Sequence, residues 1–186
     1  MNVALHRPMS RNEFLDWAEA QDAPYEFDGM RPVEMTGGSL LHDRIRRRLG
    51  RLLEDRLVGT PFELFGPDAG VATVGSSIRY PDVVIASKGG ANKSKLVPEA
   101  VVVFEVLSPS TQRVDRIDKV QEYGAVPSIR RYVIVEQDSI GLTVLEKLDA
   151  GDWRASILTN GVLHLPEVGI SLAVADLYDG LDIAAA

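Results

Sequence analysis

The chain has 186 residues, 45% of them hydrophobic, with a formal net charge of −7, no cysteine and 3 histidines. That length can bury a real core; no apolar run is long enough to cross a bilayer, and the first residues lack the apolar core of a signal peptide. Disulfides and thiolate metal sites are excluded, His6, His42 and His164 are too few for a zinc site built on several imidazoles, and a general nucleic-acid coat protein would be basic. Absent cysteine fits a reducing, cytoplasmic location, and a negative total charge leaves room for a local basic face.

Residues 10–20 read as a short helix, with Ser10 as N-cap, Glu13 at the capping-box position and Phe14, Leu15 and Trp17 on the apolar side. Residues 25–35 alternate around Asp28-Gly29, a hairpin signal, and a turn follows at 36–39. The clearest helix spans 40–58. Leu41, Ile45, Leu49, Leu52 and Leu53 form one stripe at helical spacing, and Arg44, Arg47, Arg48 and Arg51 recur on another face. His42 lies beside the apolar stripe, so it should point inward. Strands are expected at 62–65, 71–74 and 78–86, then a Gly/Lys loop at 87–98 and a strand at 100–107. A second helix at 112–125 stops at Val126-Pro127. Residues 131–136 and 142–147 read as a hairpin around 138–141, 153–158 and 162–165 as a continuing meander, and 173–178 as a closing helical turn. Composition shows no linker or repeat. The economical reading is one α+β domain over 1–186, with a core at about 25–150 and a C-terminal β extension at 151–186.

The strand at 100–107 holds one carboxylate, Glu105, in a run otherwise apolar enough to be buried on both faces. An ionised acid there is costly unless a cation or a hydrogen-bond donor meets it. Asp82 precedes a similar run. Strand parity puts Glu105 on the face of Val101, Val103 and Leu107, and Asp82 on that of Val84 and Ala86. Paired with these faces together, the acids meet. Two carboxylates, the Val106 backbone carbonyl and waters would suit Mg2+ or Mn2+, which polarises a phosphoryl oxygen and activates water. On the second helix, Asp115, Lys119 and Tyr123 stand at i, i+4 and i+8, making Lys119 a candidate to orient that water or offset charge.

Each residue also has a plainer reading. Asp82 suits a strand-end acid satisfied by backbone amides, Glu105 a buried ion pair and Lys119 an i,i+4 partner of Asp115. Tyr123 suits the core. His42 suits either a buried hydrogen bond or the orienting of phosphate or water. Glu34 is a further acid that could reach a metal. Arg44, Arg47, Arg48 and Arg51, with Lys93 and Lys95 in the Gly/Lys loop, are either solvated or phosphate contacts. Ser108 to Thr111 suits a turn and N-cap better than a nucleophile elbow.

Pro81-Asp82, then Glu105-Val-Leu-Ser-Pro-Ser-Thr111, then Asp115, Lys119 and Tyr123 resemble the PD-(D/E)XK nuclease superfamily. Tyr25-Glu-Phe-Asp-Gly29, Val33-Glu-Met35, His42, Leu165-Pro-Glu-Val-Gly169 and Leu177-Tyr178 extend the resemblance to a bacterial branch of restriction-endonuclease-like proteins of uncharacterised substrate, over about residues 10–181. The resemblance implies a core of helix, three strands, helix, strand, with a mixed central sheet flanked by helices. It implies a metal-dependent endonuclease acting on DNA, with Asp82 and Glu105 as metal ligands, Lys119 as catalytic lysine, and a homodimer or higher homo-oligomer. The superfamily's lysine commonly sits two residues after the second acid, where this chain has Leu107. The alternative is a non-catalytic nucleic-acid-binding or assembly module that keeps the fold.

Overall fold

The computed structural model describes residues 9–108, 112–149 and 151–185; the expected turn at 109–111 lies outside them, as does His6. The first helix, α1 (Arg11–Ala18), begins with the full capping box: Ser10 Oγ accepts from Glu13 N–H, and Glu13 Oε2 accepts from Ser10 N–H at 2.7 Å. Its buried Phe14 stacks on Phe27 with ring centroids 5.0 Å apart. Phe27 belongs to β1 (Tyr25–Phe27), which pairs with β2 (Pro32–Glu34) across a turn where Gly29 takes φ +91°. The long helix α2 (Leu40–Leu57) is capped by Ser39, whose Oγ accepts from His42 N–H. The apolar stripe does its expected work: Ile45, Leu49, Leu53 and Leu57 are buried, each worth about 1.5–3 kcal/mol of transfer free energy.

The strands β3 (Phe62–Phe65), β4 (Val71–Ala72), β5 (Ile78–Arg79), β6 (Val83–Ser87) and β7 (Ala100–Val106) follow. A π-helical turn at Val114–Asp118 runs into α3 (Lys119–Gly124), and β8 (Arg131–Val135), β9 (Ser139–Ile140), β10 (Leu142–Lys147) and β11 (Trp153–Leu158) come next. The chain closes with β12 (Val162–Leu165), β13 (Ile170–Ala173), α4 (Val174–Tyr178) and the short β14 (Ala184–Ala185), which pairs in parallel with β9. The central sheet has the order β11-β10-β8-β7-β6-β3 and is mixed: β7 and β8 run parallel, the other neighbours antiparallel. A parallel pair needs a crossover, and α3 supplies it. Helix α2, strands β3, β6 and β7, helix α3 and strand β8 therefore make the expected core of an α+β, restriction-endonuclease-like fold. A smaller sheet, β2-β1-β5-β4, stands beside it.

Two expectations need correction. The strand read at 78–86 is broken: β5 joins the small sheet and β6 the central one. Pro81 sits in the break, where its missing N–H ends one ladder before the next begins. The meander also ends at β11. After Gly161, at φ +78°, β12 turns away to pair with β13, and buried Leu163 and Leu165 pack into the core beneath α2.

The central sheet has two unlike faces. Val83, Ile85, Val102, Phe104, Val106, Val133 and Val135 pack with α2 and α4 in the larger apolar core. The alternate residues Val84, Val103, Leu107, Tyr132 and Ile134 pack with Tyr123 of α3 in a smaller one. Glu105 belongs to this second face by parity.

Candidate active site

The pairings Val83↔Phe104 and Val84↔Val103 set the register of β6 and β7, so Asp82, one position before β6, lies abreast of Glu105. The break at Pro81 leaves the Asp82 carboxylate at a strand end. There its Oδ2 accepts from Val106 N–H at 2.8 Å and lies 3.2 Å from Nε2 of His42 in the first turn of α2. The imidazole has room because residue 38 is glycine: a Cβ there would stand 2.7 Å from His42 Cγ and Nδ1. Burial lowers the His42 pKa, but the Asp82 hydrogen bond and charge, with a backbone bond to Val106, outweigh it against the opposing Arg46, so the pKa is raised.

Glu105 is buried. Its Oε1 accepts from Lys119 Nζ at 2.7 Å and from Tyr123 Oη at 3.1 Å. Lys119 also lies 3.1 Å from Asp115 Oδ1 and 3.5 Å from Glu26 Oε1. Burial works against the ammonium, yet Glu105, Glu26 and Asp115 together hold its pKa above the ordinary lysine value. Burial pushes Glu105 well up; Lys119 opposes this, while Asp115, Asp82 and Glu26 reinforce it. Tyr123 and Tyr132, in edge-to-face contact at 5.0 Å, are both pushed well up by burial and then by Glu105, so both stay neutral donors. Tyr132 Oη donates to the Asp115 carbonyl at 3.1 Å.

Sequence reasoning missed the next layer. Of the acids on the first hairpin, Glu26 turns into the protein, Asp28 closes the turn by accepting from Met30 and Arg31 N–H, and Glu34 is exposed. Glu26 Oε1 accepts from Tyr80 N–H at 3.1 Å, and Oε2 accepts from Arg79 Nη1 at 3.0 Å. Arg79 is in turn held by both oxygens of Glu122, with Nε–Oε2 at 2.7 Å and Nη2–Oε1 at 2.6 Å. Carboxylates from Glu26, Asp82, Glu105, Asp115 and Glu122 thus outnumber the cationic partners Arg79, Lys119 and His42 among the described residues. The one mark of Glu26 in the sequence is an acid between two aromatics, Tyr25 and Phe27, in a strand of three residues, too short for parity to say which way it turns.

The basic candidates separate. Arg48 hydrogen-bonds the Asp176 and Asp179 carbonyls and ties α2 to α4, and Arg47 lies 3.2 Å from Asp43. Lys95 is held by the Leu15 carbonyl and Glu19, and Lys93 is exposed. Arg44 and Arg51 are exposed and make no ion pair among the described residues. A cleft of about 320 Å³ between α2 and β3 is lined by Arg46, Arg47, Gly50, Arg51 and Asp82 among others, so it joins the arginine face to Asp82. Among the described residues no three or more His, Asp or Glu side chains converge in a metal-holding group, and no helix is long and apolar enough to cross a membrane.

Comparison with known proteins agrees with this architecture. "Uncharacterized protein slr1290" of Synechocystis sp. is 32% identical over 176 residues, covering 93% of each chain. "Uncharacterized protein sll1609" of the same organism is 26% identical over 157 residues, covering 82% of this chain and 89% of that one. A crystal structure titled as a putative nuclease belonging to DUF820, from Anabaena variabilis, superposes with a TM-score of 0.73 over 92% of this chain and 98% of the other, at 13% identity. The model of the Uma2 family, described as "Putative restriction endonuclease", matches residues 11–175. With its helix, three strands, helix and strand in the same arrangement, the chain belongs to the Uma2 family and to the restriction-endonuclease-like superfamily.

Proposed function

We propose that this protein is a divalent-metal-dependent nuclease that hydrolyses DNA phosphodiester bonds at Asp82 and Glu105. One observation carries the reading: two acids abreast, Asp82 just before β6 and Glu105 on β7, in a buried cluster where carboxylates outnumber cations, with a lysine ammonium 2.7 Å from Glu105. A buried negative surplus favours a cation. The donor set fits Mg2+ or Mn2+, hard ions that accept one or two carboxylates and keep several waters. Asp82, Glu105 and the Val106 carbonyl would hold the ion, which when bound supplies Lewis-acid polarisation of a phosphoryl oxygen.

The chain's own residues do the rest. Lys119 has three N–H donors and serves to orient the attacking water and offset charge that develops on the phosphate. Asp115 and Tyr123 hold Lys119 and Glu105 in place, and His42 steadies Asp82 from the opposite side. Arg44, Arg47 and Arg51 lie along one face of α2 and would meet the phosphate backbone; Lys93 is a further phosphate contact on the Gly/Lys loop. The test is cleavage of supercoiled and linear DNA with Mg2+ or Mn2+ by wild type, Asp82→Ala, Glu105→Gln and Lys119→Ala. Equal background in all four would end the reading. We include a cytoplasmic homodimer in this proposal, since two strands need two cuts; sedimentation as a monomer at micromolar concentration would remove the dimer.

Leu107 favours a second reading. At the position where the superfamily commonly places its lysine, this chain has a leucine buried in the smaller apolar core. A non-catalytic nucleic-acid-binding or assembly module would follow if calorimetry found no Mn2+ binding, or binding indifferent to Asp82→Ala.

A further inference from the structure

The cluster contains two carboxylates that the proposed chemistry does not use, Glu26 and Glu122. Glu26 contributes no ligand in that reading, yet it is buried beneath the site. Its simplest role would be counter-charge for Arg79. That role is already filled, because Glu122 meets Arg79 with both oxygens, at 2.7 and 2.6 Å. A second buried acid on the same guanidinium adds a desolvation cost that a structural pair does not require.

What distinguishes Glu26 is the other end of its carboxylate. Oε1 accepts from the Tyr80 amide at 3.1 Å and lies 3.5 Å from Lys119 Nζ. Tyr80 leads through Pro81 directly to Asp82. One oxygen atom therefore touches both the segment that delivers the first acid and the amine that meets the second. Pro81 restricts its own φ and the conformation of Tyr80 before it, so a fixed Tyr80 amide limits where Asp82 can stand. Lys119 reaches the same atom from α3, across the seam between the small sheet and the crossover helix.

We infer that Glu26 is a positioning residue: it sets the separation between the Lys119 amine and the Asp82–Glu105 pair by holding Tyr80 N–H and the ammonium on one oxygen. This rests on the nuclease reading for its consequence in catalysis, but the geometric link stands without it. The two variants that separate the roles are E26Q and E122Q. In E26Q the amide oxygen keeps the Tyr80 hydrogen bond and loses the charge toward Lys119. E122Q weakens the same arginine from its far side and leaves Glu26 in place.

The first readout is the Lys119 ammonium in lysine-labelled, metal-free protein, assigned by its loss in Lys119→Met. A buried, ion-paired ammonium exchanges slowly enough to be seen. E26Q should shift or broaden that signal, and E122Q should leave it in place. The second readout is DNA cleavage: E26Q should lower kcat about 10–100-fold with KM within about twofold, the pattern of a lost transition-state alignment, while E122Q lowers thermal stability and lowers kcat far less than E26Q does. If E26Q fails to fold, Glu26→Asp, which withdraws the carboxylate by one methylene, carries the same two readouts. An ammonium signal unchanged in the Glu26 variant, or equal effects from Glu26 and Glu122 variants, overturns the inference. A wild type that cleaves no DNA removes the nuclease reading, and the ammonium signal still decides the role of Glu26.

Discussion

The two faces of β7 share a backbone and differ in what holds them. Val102, Phe104 and Val106 look into the larger core, packed among the apolar side chains of α2, α4 and the C-terminal strands. Val103, Glu105 and Leu107 look toward α3, where Tyr123 and Tyr132 close over Glu105 and Lys119. The first face is stabilised by area removed from water and tolerates approximate fits. The second is stabilised only while each charge keeps its partner, since a buried charge left alone costs far more than the pair returned. The face with the poorer stability argument is the one that holds the proposed site.

Breaking both faces should show this difference most clearly. Phe104→Ala should cost about 3–5 kcal/mol through transfer and cavity terms. Lys119→Met should cost a comparable ~3–5 kcal/mol by leaving Glu105 and Asp115 uncompensated. Urea titration measures both, and Mn2+ separates them: the ion should narrow the stability gap to wild type in Lys119→Met and leave the gap of Phe104→Ala unchanged. Equal response to Mn2+ would erase the distinction between the faces.

A smaller effect is expected at the edge of the polar side. Gly38→Ala places a Cβ against the His42 ring, with contacts of 2.7 Å that must be relieved. Overpacking of this kind costs about 1–3 kcal/mol. The ring should leave Asp82, seen as loss of the shifted His42 resonance, and Mn2+ affinity should change with it. An unshifted resonance would mean that the 36–39 turn moves instead.

Gly50→Ala goes the other way. Gly50 lies inside α2, and a Cβ there meets only Leu64 Cδ2, at an ordinary 3.8 Å. The substitution should stabilise the helix by about 0.5–1 kcal/mol, read as a raised Tm, while narrowing the cleft beside Arg47 and Arg51. The smallest stability effect belongs to Arg51→Ala, within about 0.5 kcal/mol. Its consequence should appear in oligonucleotide binding, with the salt dependence reduced by about one unit of slope. Unaltered binding would return the arginine face to solvent.

Much of this was legible because two periods are robust. The 3.6-residue stripe of α2 needs only its leucines, and the period of two on β7 fixes the face of Glu105 whatever the surroundings. Asp82 followed from the same parity, although the strand containing it is interrupted. What escaped the sequence depends on contacts between distant segments. Glu26 sits on a strand of three residues, too short for periodicity, and its meaning needs Arg79 from β5 and Lys119 from α3. Arg48 has the same spacing as its neighbours on α2, and only the arrival of α4 beside it makes it a tie rather than a phosphate contact. Nothing in α3 alone says that Lys119 faces Glu105 rather than solvent, because an i,i+4 pair with Asp115 looks the same in both cases.

The interruption at Pro81 has a consequence for how such a site tolerates change. An uninterrupted strand would give the Asp82 segment a continuous ladder and a register shared with its neighbours, so every alteration in the small sheet would be transmitted along it as a slip. With no donor at residue 81, the two sheets keep separate registers and meet at a joint held from the side by Glu26. Apart from Glu26 and the Tyr80 amide it holds, the small sheet can then drift in sequence, lengthen its loops or change its hairpin tip without shifting Asp82 against Glu105. Pro81→Val would remove that insulation: the site's residues would survive in composition, and their geometry would begin to depend on the whole small sheet rather than on Glu26 alone.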